Sequence, residues 1–327
     1  MAGPGTASSE ARAIRTGSLL RTRSTGASGS GDTGGNESSA DSIGDVDLHY
    51  ASCGDEQRPL LLMLHGFPES WFAWEALMPC FADRYHVVAP DLRGFNLSAK
   101  PAAVEAYRAP ELIRDLIALI KGLGHQSATV IAHDWGGAIA WGLAIERPEL
   151  VDRLVILNAP HPVPFARALA TDTAQQAASQ YMNWLRAPGS ESKLAENDFS
   201  RMDRLFSRFG AAQWFDENTR RRYHQAWRQP GALRAMVNWY RATPLYPPVG
   251  SDPGAGRVVL DAARFRVAVP TRVIWGLDDA ALLPVLLDGL EQLCDDLRIQ
   301  RLAGLSHWLV HEAPDKVTQA IEESLLA

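Results

Sequence analysis

Cysteine is scarce in this chain. Cys53, Cys80 and Cys294 are its whole complement, and no two fall at a C-x-x-C or other metal-like spacing. An odd, unpatterned set of three excludes a disulfide framework and a structural metal site of the usual kind, and predicts reduced thiols in a cytoplasmic protein. A basic excess is also missing: 32 Lys and Arg face 38 Asp and Glu, for a net charge of −6. Nucleic-acid binders need a positive surface to displace counterions, so no nucleic-acid partner is expected. No apolar run approaches the roughly 20 residues a bilayer span needs. Large apolar side chains are nearly absent from residues 1–42, where Gly, Ser, Thr and Ala dominate. Such a segment cannot bury enough surface to offset its ordering entropy, so residues 1–42 read as a disordered extension. Arg12, Arg15, Arg21 and Arg23 give it a faint likeness to a transit peptide, without the apolar segment of a secretory signal.

From about Ile43 onward the pattern changes. The chain as a whole is 46% hydrophobic, enough for a large core. Strand and helix signals alternate, which predicts an α/β fold with a mostly parallel central sheet flanked by helices. Leu60–Leu64 is a short continuous apolar run of the kind found in strands buried on both faces. Further strands are expected at His86–Ala89, Ala128–His133, Leu154–Leu157, Thr271–Trp275 and Leu297–Ile299, with a helix over Leu112–Leu123. The alternation stops at Asn158, where a proline-rich exit, Pro160-His161-Pro162, opens a helical stretch rich in Trp, Tyr and Arg. A Pro/Gly linker from Tyr246 to Gly256 brings the chain back. The expected organisation is a first core segment, residues 43–160, a helical cap, residues 161–256, inserted after the sixth strand, and a second core segment, residues 257–327. A cap so placed covers the carboxyl edge of the sheet, where ligands bind in such folds. Arg201, Arg204 and Arg208 share one helical face within it and read as a solvated surface.

The most informative stretch is Ala132-His133-Asp134-Trp135-Gly136-Gly137, a strand running into a tightly packed helix. Small-x-nucleophile-x-Gly at such a turn is the nucleophile elbow, a strained turn that lifts one side chain above the sheet. Small residues suit positions 132 and 136 because a larger side chain would clash across the turn. Here the raised residue is Asp134 and not a serine, and Ser127 lies before the strand, so a serine esterase is disfavoured. A carboxylate is a competent nucleophile toward a saturated carbon bearing a leaving group, and the product is an alkyl ester on the enzyme. Epoxides and alkyl halides fit that chemistry. Asp-x-Gly is more often a plain turn, so the weight falls on the partner residues and their order.

Five motifs follow in sequence: His65-Gly66-Phe67-Pro68-Glu69-Ser70-Trp71, Asp91-Leu92-Arg93-Gly94, His133-Asp134-Trp135-Gly136-Gly137, Asn238-Trp239-Tyr240-Arg241 and Gly304-Leu305-Ser306-His307-Trp308. Taken together they resemble the epoxide hydrolases of the α/β-hydrolase superfamily over most of the chain from Ile43; haloalkane dehalogenases share the aspartate elbow. The resemblance implies an α/β-hydrolase fold, no cofactor or metal, and a small apolar epoxide as substrate. It implies a triad of Asp134, His307 and an acid in Trp275-Gly276-Leu277-Asp278-Asp279; the family register places that acid at Asp279, with Asp278 as a turn residue. The backbone N–H groups of Phe67 and Trp135 would form the oxyanion hole, and Phe67, Trp135 and Trp184 would line the substrate site. Two cap tyrosines would protonate the epoxide oxygen: Tyr240, within Asn-Trp-Tyr-Arg, and Tyr181, whose surroundings match less tightly.

Two other readings stay open. A haloalkane dehalogenase would use Trp135 and Trp184 as halide donors on the same triad, and a catalytically dead hydrolase fold would serve as a binding protein. One departure from the family pattern concerns the Asp91–Ser98 turn, where Asn96 stands in place of the more usual glycine. Asn tolerates a left-handed backbone better than other side chains, so the turn is expected to survive.

Overall fold

The computed structural model describes residues 12–20, 47–210 and 213–326. Its centre is one eight-stranded sheet in the order β1-β2-β4-β3-β5-β6-β7-β8. The strands are β1 (Arg15–Leu20), β2 (Asp47–Cys53), β3 (Leu60–Leu64), β4 (His86–Pro90), β5 (Ala128–His133), β6 (Val151–Leu157), β7 (Thr271–Gly276) and β8 (Leu297–Leu302). β1 and β2 run antiparallel to their neighbours, and β3 to β8 are parallel.

The continuous apolar run of β3 is explained by packing on both sides. Leu60, Leu62 and Leu64 join a core cluster with α2 (Ala109–Gly122) and α3 (Asp134–Glu146) on one face. Leu61 and Met63 join a second cluster with α1 (Met78–Phe81), α10 (Leu309–Glu312) and α11 (Pro314–Leu326) on the other. Alternate side chains thus enter opposite cores, and neither face tolerates a polar residue. Between β6 and β7 the described residues form six α-helices: α4 (Pro162–Thr171), α5 (Thr173–Ala178), α6 (Gln180–Arg186), α7 (Ser190–Arg208), α8 (Glu217–Trp227) and α9 (Ala232–Ala242). α7 is broken by Asn197, Asp198 and Phe199, all with positive φ. Arg201, Arg204 and Arg208 are exposed on its second half.

The expected disorder of residues 1–42 is corrected at one place. Arg15–Leu20 forms the edge strand β1, in register with β2 from Arg15 opposite Ser52 to Leu20 opposite Asp47. The free edge of β2 offers a row of unpaired backbone groups, and Leu19 packs against Gly122 at the end of α2. Arg12 adds an ion pair to Asp83 at 2.5 Å. Composition averaged over 42 residues hides a six-residue strand. The rest of the segment, residues 1–11 and 21–42, lies outside the described residues.

The Asp91–Ser98 turn keeps its shape with Asn96 at φ +38°. The Asn96 side chain donates to Asp91 Oδ2 at 2.9 Å, which fixes the left-handed residue from within the turn. Arg93, two residues after Asp91, is buried and pairs both ends of its guanidinium with Asp115 at 2.6 and 2.7 Å. The three cysteines are free. No helix among the described residues is long and apolar enough to cross a membrane.

Candidate active site

Asp134 begins α3 directly after β5, and its φ is +49°, left-handed for a residue with a side chain. Such a backbone costs free energy and persists only where the surroundings enforce it. Here they do. A Cβ at Gly136 would lie 2.5 Å from the carbonyl oxygens of both Leu64 and His65, so the start of α3 lies hard against the end of β3 and only glycine fits. The turn pushes the Asp134 carboxylate out over the edge of the sheet, as the elbow motif predicts.

Two groups receive it. The Phe67 amide donates to Asp134 Oδ1 at 2.7 Å. His307 Nε2 lies 3.7 Å from Asp134 Oδ2. The Trp135 amide is among the first-turn donors of α3, which have no acceptor within the helix.

His307 is buried, and its Nδ1 faces Asp279 Oδ2 at 2.8 Å. That contact puts the proton on Nδ1 and leaves Nε2 toward Asp134. Asp279 is itself held on every side: its Oδ1 accepts from the amides of Ala281 (2.8 Å) and Leu282 (2.9 Å), and its Oδ2 from Asn158 Nδ2 at 2.6 Å. Asp278 points to solvent, so of the two adjacent carboxylates only Asp279 reaches the histidine. Burial works to lower the His307 pKa. The charge and hydrogen bond of Asp279 outweigh it, with Asp134 and Glu69 adding, and the pKa is lifted to about 9.

Beside Asp134 opens a cavity of about 350 Å³, bordered by Trp135, Tyr181, Met182, Trp239, Tyr240 and Leu282 among mostly apolar side chains. Tyr240 is buried on α9, with its ring edge-on to Phe67 and to Trp135 at 5.1 Å each. Tyr181 on α6 lies 6.1 Å from Tyr240, ring to ring. Burial raises both phenol pKa values, helped by the Asp134 charge, so both hydroxyls keep their protons. Among the described residues no group of three or more His, Cys, Asp or Glu side chains is placed to hold a metal ion.

An acidic side chain on a strained strand-to-helix turn, a histidine near its carboxylate and an acid behind the histidine stand in the arrangement of a hydrolase triad, in the chain order Asp134, Asp279, His307. A model of the alpha/beta hydrolase fold matches residues 59–314. The chain belongs to the α/β-hydrolase fold family, in its epoxide hydrolase branch. It is 38% identical over 282 residues to the AB hydrolase superfamily protein YfhM of Bacillus subtilis, covering 86% of this chain and 94% of that one. It is 32% identical over 287 residues to epoxide hydrolase 3 of Xenopus tropicalis, covering 86% of this chain and 75% of that one. Among solved structures, an epoxide hydrolase of Bacillus megaterium in complex with an inhibitor superposes with a TM-score of 0.78 at 33% identity, over 86% of this chain and 98% of that one.

Within this α/β-hydrolase the Asn238-Trp239-Tyr240-Arg241 motif divides its labour. Trp239 Nε1 donates to the Arg93 carbonyl at 2.9 Å, which ties α9 to the core. Asn238 Nδ2 reaches the Ala102 carbonyl at 3.3 Å, and Arg241 pairs with Glu191 at 2.5 Å. Trp239 and Tyr240 both border the cavity beside Asp134, and the Tyr240 side chain makes none of these ties.

Trp184 requires a correction. It does not line the cavity; it is exposed, with the Arg201 guanidinium 5.9 Å from its ring. The buried arc of α6 runs through Tyr181, Leu185 and Met182, and Trp184 falls outside it. The pairing of Trp135 with Trp184 on a halide is therefore not assembled.

Two residues escape a motif reading. Asn158 ends β6 with φ +36°; besides donating to Asp279, its Oδ1 accepts from the Gly276 amide at 2.7 Å. It joins the ends of β6 and β7 and orients the triad acid. The only sequence signal was the break in alternation at that position. Glu69, inside the His65–Trp71 motif, is buried and faces His133 Nδ1 (3.2 Å), His311 Nε2 (2.5 Å) and the Tyr223 hydroxyl (3.2 Å). Burial alone would raise its pKa, but the bonds from His133 and His311 prevail and hold it well below the usual carboxylate range.

Proposed function

We propose that this enzyme opens epoxides to vicinal diols through an ester on Asp134. In the first step Asp134 Oδ2 attacks a ring carbon, a C–O ester bond forms, and the ring C–O bond breaks. The oxygen set free takes a proton from Tyr240 or Tyr181. The alkoxide that forms is a strong base, and a tyrosine hydroxyl that keeps its proton until that moment is placed to supply it. In the second step His307 Nε2 takes a proton from water, and the hydroxide oxygen attacks Cγ of Asp134. The Phe67 and Trp135 amides hold the resulting oxyanion. The bond between Cγ and the diol oxygen then breaks, that oxygen takes the proton from His307, and the hydroxyl proton left on the Asp134 carboxyl returns to the tyrosinate, so that Asp134 is restored as a carboxylate carrying one oxygen from water. Asp279 keeps the imidazole in the working tautomer and balances its charge.

The observation that carries this reading is the Asp134 carboxylate, with one oxygen on the Phe67 amide at 2.7 Å and the other 3.7 Å from His307 Nε2, in a cavity also bordered by Tyr181 and Tyr240. The names of the relatives support an epoxide as the substrate. Exposure of Trp184 weighs against a dehalogenase, since a leaving halide would find one indole and not two. The helices between β6 and β7 serve as the cap that carries the acid.

Single turnover in oxygen-18 water tests the scheme. The first diol should carry unlabelled oxygen from Asp134, with label entering the enzyme. His307→Gln should still be alkylated and then stall, giving an adduct of the whole substrate mass on a peptide containing Asp134. Label going straight into the first diol, or an unmodified His307→Gln protein, would mean that water attacks the epoxide directly.

A further inference from the structure

Two chambers meet at Asp134, and they differ greatly in size. The larger, about 350 Å³, runs from Trp135 between α2 and α3 to a lip formed by Val258, Leu260 and Phe265. The smaller, about 10 Å³, lies beside His307 and Ala281. Asp134, Tyr181 and Tyr240 border both, so the reacting groups stand at the junction. His307 borders only the small one. A space of roughly 10–15 Å³ on this measure holds one water and little else.

The small chamber is closed by rigid parts. Leu205 and Phe209 come from the end of α7, and Trp308 from the loop after β8. The Phe209 ring lies 4.9 Å from that of Tyr181 and 6.4 Å from His307. The next residue, Gly210, presses on Ser306: a Cβ there would lie 1.7 Å from Ser306 Oγ. Trp308 Nε1 donates to the Phe206 carbonyl at 2.8 Å, which ties α7 to the histidine loop. The end of α7 therefore cannot retreat without breaking that bond and that contact.

An epoxide held with its oxygen at Tyr181 and Tyr240 and one carbon at Asp134 has two carbons to accommodate. When the two carry substituents on opposite faces of the ring, one substituent can extend into the large chamber and the other is turned toward the small one. Any group placed there also occupies the chamber from which water would reach His307. We propose, building on the epoxide-opening reading above, that this enzyme excludes epoxides with bulky substituents on opposite faces of the ring in favour of terminal epoxides bearing one bulky apolar arm, and that Leu205 and Phe209 impose the restriction. The arm lies in the large chamber, and the unsubstituted CH2 leaves the small chamber to the hydrolytic water.

The test compares styrene oxide with trans-stilbene oxide, which adds a second phenyl group on the opposite face. The wild-type enzyme should favour styrene oxide by roughly a hundredfold or more in kcat/KM, since a pocket with no room for one group discriminates on at least that scale. Phe209→Ala and Leu205→Ala should each narrow the ratio by about tenfold by gaining activity on trans-stilbene oxide. The two variants come from different turns of α7, so one folded protein is enough to read the effect. Comparable turnover of both epoxides by the wild type would overturn the restriction while leaving epoxide hydrolysis intact. An unchanged ratio in a folded variant would remove Leu205 and Phe209 as its cause. Turnover of no epoxide at all, terminal ones included, would overturn the functional reading and this inference together.

Discussion

The two halves of the site are held in place by different physics. Asp134, Asp279 and His307 stand at strand ends, and backbone groups grip their polar atoms: the amides of Phe67, Ala281 and Leu282, with Asn158 and its link to Gly276 behind them. Tyr181 and Tyr240 come from the inserted helices and are positioned chiefly by rings packed edge-on at 5–6 Å. The insertion is in turn fastened to the core by indole hydrogen bonds, Trp227 to the Pro68 carbonyl at 2.8 Å and Trp239 to the Arg93 carbonyl at 2.9 Å. Hydrogen bonds to backbone are directional, whereas aromatic packing fixes volume and leaves more freedom of tilt. In the proposed mechanism the nucleophile and base need fixed direction, because an attack trajectory is narrow. An acid that follows the oxygen of substrates of different shape gains from the looser mounting.

Removing the nucleophile should cost most. Asp134→Ala leaves no atom to form the ester, and the expected loss is about 10⁴-fold or more in kcat/KM for styrene oxide. No adduct should appear when the change is combined with His307→Gln. Residual turnover within tenfold of wild type would show that the sheet-borne half is not the centre of the chemistry.

Acidification should strike the two chemical steps unequally. In the resting enzyme His307 is lifted to about 9, in part by the charge of Asp134. Esterification removes that charge, so the pKa falls in the intermediate, and neutral imidazole becomes available to take a proton from water. Hydrolysis of the ester should therefore be fast above this reduced pKa and decline about tenfold per pH unit below it. Alkylation does not draw on His307 as a base and should not share that decline. Stopped-flow measurement of both phases would reveal ester accumulation on the acid side. A hydrolysis rate that is flat from about pH 9 to pH 5 would break the assignment of His307 as base.

The same contrast governs what could be read from the chain alone. Strand ends were legible because short apolar runs are buried on both faces, as at β3 and β5, and the elbow glycine marks a steric necessity. The register of the motif singles out Asp279, and the structure buries Asp279 against His307 while Asp278 stays exposed. Helices of the insertion have polar, Arg-rich faces whose orientation depends on distant partners. Tyr240 was found through its motif, while Trp184, one turn from Tyr181, was placed in the cavity although it faces solvent. β1 was missed because its pairing is decided by the free edge of β2, and nothing within Arg15–Leu20 announces it. Asn158 was visible only as an interruption, since a long-range hydrogen bond to Asp279 leaves no local pattern.

Loss of one tyrosine hydroxyl should be intermediate. Tyr240→Phe keeps the ring packed against Phe67 and Trp135 and removes only the acid. Alkylation by epoxide should slow by on the order of a hundredfold, with thermal stability near that of the wild type. Tyr181→Phe should cost less than the double variant, since either hydroxyl can reach the oxygen from the shared wall of the two chambers. If the double variant alkylates at the wild-type rate, the tyrosines act only as packing, and the difference between the two halves disappears.

The smallest effect on rate is expected at Asn158, and it measures how far backbone anchoring matters. Asn158→Ala deletes the donor to Asp279 Oδ2 and the acceptor for the Gly276 amide. Asp279 keeps the amides of Ala281 and Leu282 and its bond to His307, so the triad should remain assembled but less well directed. An unsatisfied buried amide at Gly276 costs about 1–3 kcal/mol, and alanine is a poorer occupant than asparagine of a backbone at φ +36°. The stability loss should therefore lie at or above the upper part of that range in urea denaturation. The rate of ester hydrolysis should fall by roughly tenfold, with alkylation less affected, because Asp279 acts through His307 and His307 serves the second step. Equal losses in both steps would mean that Asn158 supports the whole elbow and not the acid alone. Loss of stability with both rates intact would show that the link between β6 and β7 is purely structural, and that two backbone amides are enough to aim the triad acid.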